Sequence, residues 1–498
     1  MKKVLVLIFA ALLAFSCVNR KTQIQSVSLT PIMNKALNEP SSFYYAGFKS
    51  YPTNLKNLPI GISASSLDGL NLLEAFLTAD NFDNITGAEK SDGILDFAGE
   101  EFTFFYDGAN APYELYVPNG KKDLLKELVV KDAIFLAGSR YSKDPSDKER
   151  KGVKSPVKVI IMAGNTSAAY GYHDVKTLME QSGTGVKTIS PVDAASYALA
   201  AKLKWNLSSE TDTVGIGILS AKDTLFKNEL TLKIDSYLRA EGSLGKLFIE
   251  DVDASGLVEA MEKNINYIDT ASKAPRRNYM GPHIGSGEMD IRLNLMRVYG
   301  FDYKLYHILF QKERDSVKNV QINSVKNYAK FYLISLIEKY RETGFNRPLK
   351  YIVLGDSELR GIVDTLYDAV SDLRDYRYHG EPIYNEVLAK DLQFVSPSEF
   401  AAKECYRILR GGHNLALRTT DYSLKAFVSF PAYGLDPSCV DENGHFTSGY
   451  KYGRDFGTEE VSYLNVPFSS AYIKTDSLGI YSQYAPVAYK LITKNNNR

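Results

Sequence analysis

Apolar residues fall along this chain in two rhythms. Short unbroken runs bounded by polar loops occur at 157–162, 213–219 and 351–354, as strands buried on both faces require. Segments with apolar positions three and four apart follow them at 193–204, 224–239 and 361–373, the spacing of one helix face. Strands alternating with helices predict an α/β chain with parallel sheets. A longer helical pattern over 318–341 carries Val320, Ile322, Val325, Tyr328 and Phe331, and predicts a helical insertion within about 256–347. Beyond residue 410, the stretch 414–492 alternates like strands and is rich in tyrosine.

Five stretches of the chain carry a recognisable order of residues around strand ends. The run Val159-Ile160-Ile161-Met162-Ala163-Gly164-Asn165-Thr166 resembles the first catalytic segment of the aspartate/glutamate racemase superfamily, a strand followed by Cys-Asn-Thr-Ala. Pro59-Ile60-Gly61 with Ala64-Ser65-Ser66-Leu67-Asp68-Gly69-Leu70 is similar to the family's opening Pro-Ile-Gly-x-Phe-Asp-Ser-Gly-x-Gly-Gly-Leu. Phe104 to Tyr113, with Pro112 and Tyr113 retained, resembles the next strand and loop. Tyr351-Ile352-Val353-Leu354-Gly355-Asp356-Ser357-Glu358 aligns with the second catalytic strand, Leu-Gly-Cys-Thr-His, and 392–399 with the closing strand and helix start. The resemblance spans about 57–410 in the family's order.

It implies two pseudo-symmetric lobes with a ligand between them. Lobe one is expected at 57–190 with a return at 391–410, and lobe two at 191–390 including the insertion; 411–498 forms a C-terminal extension. The catalytic outfit implied by the family is altered. Both thiol positions are changed, to Gly164 and Asp356, and the supporting positions are Ala64 and Glu358. Inverting an α-carbon needs an acid/base group on each face, within hydrogen-bond reach. Glycine supplies none, so one face is expected to lack a base, with Asp356 and Glu358 left as the candidate catalytic groups. The expected ligand contacts fare better: Ser65, Asn165, Thr166 and Ser357, with the backbone at Pro112 and Tyr113, match positions that hold a zwitterionic amino acid. The same hydroxyls also suit helix capping.

The N-terminus bears on compartment. Met1-Lys2-Lys3 precedes an apolar stretch at 4–13, too short to span a bilayer, and then Ala14-Phe15-Ser16-Cys17. This reads as a lipoprotein signal of residues 1–16 with Cys17 lipidated, then a tether over 17–56, placing the protein in a bacterial cell envelope with the membrane as partner. Cys405 and Cys439 leave one disulfide open.

Composition excludes more than it selects. The 498 residues carry 59 basic and 59 acidic side chains, so a nucleic-acid partner has no electrostatic support. The six histidines lack metal spacing, and no phosphate loop or dinucleotide fingerprint is present; no cofactor or metal is expected. Gly355-Asp356-Ser357 also resembles an esterase nucleophile block, but Glu442 to His445 does not supply the matching Asp-x-x-His. The Gly-rich stretch at 281–288 reads as a loop, and Arg276-Arg277 as surface. Three readings stay open: a non-racemising binder of an amino acid or peptidoglycan-derived fragment, a one-base lyase, decarboxylase or residual isomerase, and a structural surface lipoprotein.

Overall fold

The computed structural model describes residues 29–221, 224–287, 289–314, 316–417, 422–457, 462–473 and 475–496. Cys17 and the expected signal lie outside them. Ten strands form the two main sheets. In chain order they are β1 (Ile60–Ala64), β2 (Glu101–Tyr106), β3 (Val159–Met162), β4 (Lys187–Ile189), β5 (Thr213–Ser220), β6 (Lys246–Asp253), β7 (Leu349–Leu354), β8 (Leu388–Val395), β9 (Ser423–Pro431) and β10 (Tyr463–Pro467). Sheet one runs β10-β9-β2-β1-β3-β4 and sheet two β8-β7-β5-β6. Every pairing is parallel except β9 with β10.

The strand order makes the pseudo-symmetry explicit. In each sheet the first strand is central, the second joins one side and the third the other, and a fourth extends beyond the third. The chain therefore reverses direction between β1 and β3, and again between β5 and β7. Such switch points open a crevice at the carboxyl ends of their strands.

Alternation explains how one run of apolar residues fills two layers. In β3, Val159 and Ile161 join the cluster containing Ile60, Ile62 and Phe104, whereas Ile160 and Met162 join the opposite cluster with Phe105 and Phe135. Sheet two is likewise covered on both faces. Burying each such side chain stabilises the fold by about 1.5–3 kcal/mol.

Several expected boundaries move. The supposed tether holds two helices, Pro31–Asn38 and Phe43–Lys49, because Ile32, Met33, Ala36 and Phe48 bury against lobe one. The 318–341 pattern is not one helix: Ile308–Glu313 and Ser316–Ile322 pair as an antiparallel hairpin, and Val325–Glu342 alone is helical. That helix packs on β6 and β5 as a layer of lobe two, not as a cap. The 391–410 return is split. Its strand, β8, pairs in sheet two, while the helix Pro397–Gly411 sends Ala401, Cys405 and Leu409 into lobe one's core. The extension supplies β9 and β10 to sheet one and ends in the helix Pro486–Asn496, packed on Gly69–Leu77. Cys405 and Cys439 are both free thiols, Cys405 buried in that core.

Candidate functional site at the lobe junction

The two switch points face each other. From lobe one come the loop after β1, with Ser65 and Asp68, and the loop after β3, with Gly164 and Asn165. From lobe two come Ala221 after β5 and Gly355 to Glu358 after β7. Hydrogen bonds join the lobes here: Asn165 Nδ2 donates to the Gly355 carbonyl at 3.2 Å, Ser357 Oγ to the Asp68 carbonyl at 3.3 Å, and Arg360 Nη2 to Thr78 Oγ1 at 3.0 Å.

Gly164 is the N-cap of Asn165–Ser182 and offers no side chain to its first-turn amides. A Cβ on it would meet Ser65 Oγ at 3.1 Å and Ser167 Oγ at 3.4 Å, so hydroxyls crowd the place a side chain would occupy. Across the junction, Asp356 Oδ2 accepts from the Ala221 N–H at 2.5 Å. One oxygen of the expected base is thus committed to fastening the β5 and β7 loops together.

The residue that sequence reasoning missed is Asp68. It appeared only as the replacement for a glycine; the fold turns it toward Asp356 and Glu358. Burial, then the Asp356 charge, push the Asp68 carboxyl up to about 7, against the Gly69 N–H that favours ionisation; Glu114 and Glu262 push in the same direction as Asp356. Burial first, then Asp68 and Asp356, hold the Glu358 carboxyl well above its usual range. The charges that weigh most on either group are acidic. Ser66 Oγ donates to Asp68 Oδ1, and Ser357 Oγ to Glu358 Oε2 at 3.3 Å. Two phenols border the cluster: burial pushes Tyr106 up to about 12, and raises Tyr481 of the C-terminal extension, with Asp68 contributing to both. No sequence signal pointed to either tyrosine.

Two expected contacts are elsewhere. Tyr113 is buried in lobe one, its hydroxyl between Asp107 and Asp132. The Pro112 carbonyl accepts from the Tyr452 hydroxyl at 3.3 Å and the Ala111 carbonyl from Lys451. The helix Ser448–Gly453, which carries both donors, therefore covers this loop. Ser65, Asn165, Thr166 and Ser357 do lie at the junction strand ends, with Ala64 closing β1. A void of about 10 Å3 lies there between Asn165, Ala168, Val192 and Phe226. Among the described residues no group of three or more His, Cys, Asp or Glu can hold a metal ion, and no helix is long and apolar enough to cross a membrane.

No protein-family model matches the chain, and no curated protein matches it. Among solved structures it is similar to glutamate racemase from Francisella tularensis subsp. tularensis SCHU S4 in complex with D-glutamate. That match has 15% identity and a TM-score of 0.37, over 75% of this chain and 89% of that one. It is also similar to the glutamate racemase isoform RacE1 from Bacillus anthracis, with 14% identity, a TM-score of 0.37 and the same coverage. At that TM-score neither likeness carries an argument; the repeated strand order and the junction geometry do.

Proposed function

We propose that this chain is an amino-acid-binding protein on a racemase-like frame, which closes on a ligand's ammonium and carboxylate without inverting its α-carbon. The observation that carries this reading is the junction itself, where Ser65 and Asn165 of lobe one meet Ser357 of lobe two at facing strand ends beside the carboxyls of Asp68, Asp356 and Glu358. An ammonium group placed there is attracted to these carboxyls. The uncapped first turn of Asn165–Ser182, with Ser65 beside it, suits the α-carboxylate, because backbone amides at a helix start attract anions. Ligand entry requires the lobes to part, and ligand binding draws them together. The ligand class is a free amino acid or an amino-acid-bearing peptidoglycan fragment. Gly164 offers no proton carrier, which argues against two-base inversion.

The test is proton NMR of D- and L-glutamate, aspartate and alanine in heavy water. Saturation transfer from protein to ligand without loss of the α-proton signal is expected; no saturation transfer from any of them overturns the reading. A second reading is favoured by one observation. Asp68, poised to about 7, is better suited than the fastened Asp356 to act as a single base for elimination or decarboxylation. Turnover abolished in Asp68→Asn, with the fold intact, establishes it. Attachment to a membrane through Cys17 belongs to the same proposal, and mass spectrometry of the N-terminal peptide tests it: an unmodified Cys17 removes the anchor.

A further inference from the structure

A second site is suggested far from the junction. A cavity of about 680 Å3 lies between the helices Pro31–Asn38 and Phe43–Lys49, the last turn of Lys122–Ala137, and β10, a volume typical of small-molecule pockets. Two polar atoms on its wall, Ser142 Oγ and Asn465 Oδ1, are buried without a hydrogen-bond partner. Ser142 is 1% exposed, and its N–H donates to the Asn465 carbonyl at 2.9 Å, so the two orphaned groups are neighbours. Buried polar atoms without partners are penalised, and a ligand group or ordered water relieves them.

The lining charges favour an anion. Among the described lining residues, Arg140 and Arg150 stand against Glu39, while Lys131 and Glu127 pair with each other. Glu127 is already engaged, by Lys131 and by the Gly457 N–H, each at 2.5 Å. Arg150 lies over the Phe43 ring, 4.4 Å from its centroid, and Arg140 is exposed. The carbonyl end of Lys122–Ala137 opposes an anion, but Lys154 Nζ covers two of the carbonyls there, Leu136 at 2.9 Å and Gly138 at 2.5 Å. Ile32, Ile134 and Phe135 give apolar walls. We propose that this cavity binds a small organic anion with an apolar or aromatic body, its charge toward Arg140 and Arg150 and a hydroxyl or amide group on Ser142 and Asn465.

The probe is 8-anilinonaphthalene-1-sulfonate, titrated into the full chain at neutral pH and competed with decanoate and with decylammonium. One saturable site is expected, with decanoate displacing the dye and decylammonium failing to. Arg140→Glu weakens binding at least tenfold. Gly47→Trp abolishes it, because Gly47 lines the cavity and a Cβ there meets nothing within 4 Å. Unchanged thermal melting of both variants separates loss of the site from loss of the fold. Absence of a saturable site, equal displacement by both competitors, or binding indifferent to both variants in folded protein overturns the proposal.

Discussion

Lobe one and the lobe junction each bury a cluster of carboxylates, and the two are finished differently. In lobe one, Asp107 accepts from both Asn110 Nδ2, at 2.8 and 3.0 Å, and from the hydroxyls of Tyr113 and Ser429. Tyr113 also lies 2.8 Å from Asp132. One phenol has one proton, so it cannot donate to both acids. Burial and the Asp107 charge raise the Asp132 carboxyl well above its usual range, which favours the protonated form that can donate to the phenol while the phenol donates to Asp107. Arg454 Nη2 donates to Asn110 Oδ1 at 2.6 Å and lends positive charge to Asp107. At the junction the carboxyls also have hydroxyl and amide donors, and the charges that weigh most on Asp68 and Glu358 come from neighbouring acids. A network complete in donors and charge holds a lobe together. One in which neighbouring acids raise one another suits a cationic ligand group.

That contrast can be broken at either end. The largest effect belongs to lobe one: Asp107→Ala strands Asn110, Tyr113 and Arg454 and lowers stability by about 3–5 kcal/mol, read as a lower calorimetric melting temperature. A loss under about 1 kcal/mol would mean that the network is dispensable.

Next comes the junction's dependence on pH. Asp68 ionises at 3.8 when unconstrained and at about 7 in the fold. Between those values the folded chain keeps a proton that the unfolded chain has lost, so stability falls as pH rises from 4 to 7 and levels off above. At about 1.4 kcal/mol per pH unit, reduced by solvent screening and by sharing among the carboxyls, the fall totals about 2–3 kcal/mol. Asp68→Asn removes it and leaves the variant more stable than the parent at pH 8 in urea unfolding. Parallel curves for parent and variant would show that the junction is already compensated.

Asn165→Ala deletes one hydrogen bond between the lobes, worth about 0.5–1.5 kcal/mol, and weakens amino-acid binding about tenfold in calorimetry. The smallest effect is that of Gly164→Cys. With Ser65 Oγ at 3.1 Å the neighbours shift slightly, stability changes by less than about 1 kcal/mol, and α-proton exchange stays absent because a restored thiol still lacks a second one opposite. Exchange in that variant would mean that the second carboxylate suffices.

Much of the frame is legible from periodicity, because buried parallel strands are apolar throughout. The run at 213–219 is β5, and 351–354 is the end of β7. The failures have physical causes. Val320 and Ile322 are two apart, a strand spacing, and merge with helical positions only when the turn at Asn323 and Ser324 is overlooked; the Ser324 hydroxyl caps the true helix start. The helices of the expected tether are short and bury few side chains fully, Ile32, Met33, Ala36 and Phe48, so the Ser, Asn and Lys around them dominate the reading. Ser65, Asn165 and Ser357 were readable as strand-end polar residues. Asp68, Tyr106 and Tyr481 were not, since their nearness depends on two lobes and an extension meeting in space. Tyr113 misled because a retained residue kept its place in the loop while the helix Ser448–Gly453 covered that loop.

The most direct measurement is the proton balance of ligand binding, from calorimetry at pH 7 in buffers of different ionisation enthalpy. An ammonium seated beside Asp68 stabilises its charged form, so amino-acid binding is predicted to release a fraction of a proton, with the release absent in Asp68→Asn and binding lost for the N-acetylated ligand. Binding without proton release, or equal binding of the acetylated compound, would contradict an ammonium-binding junction.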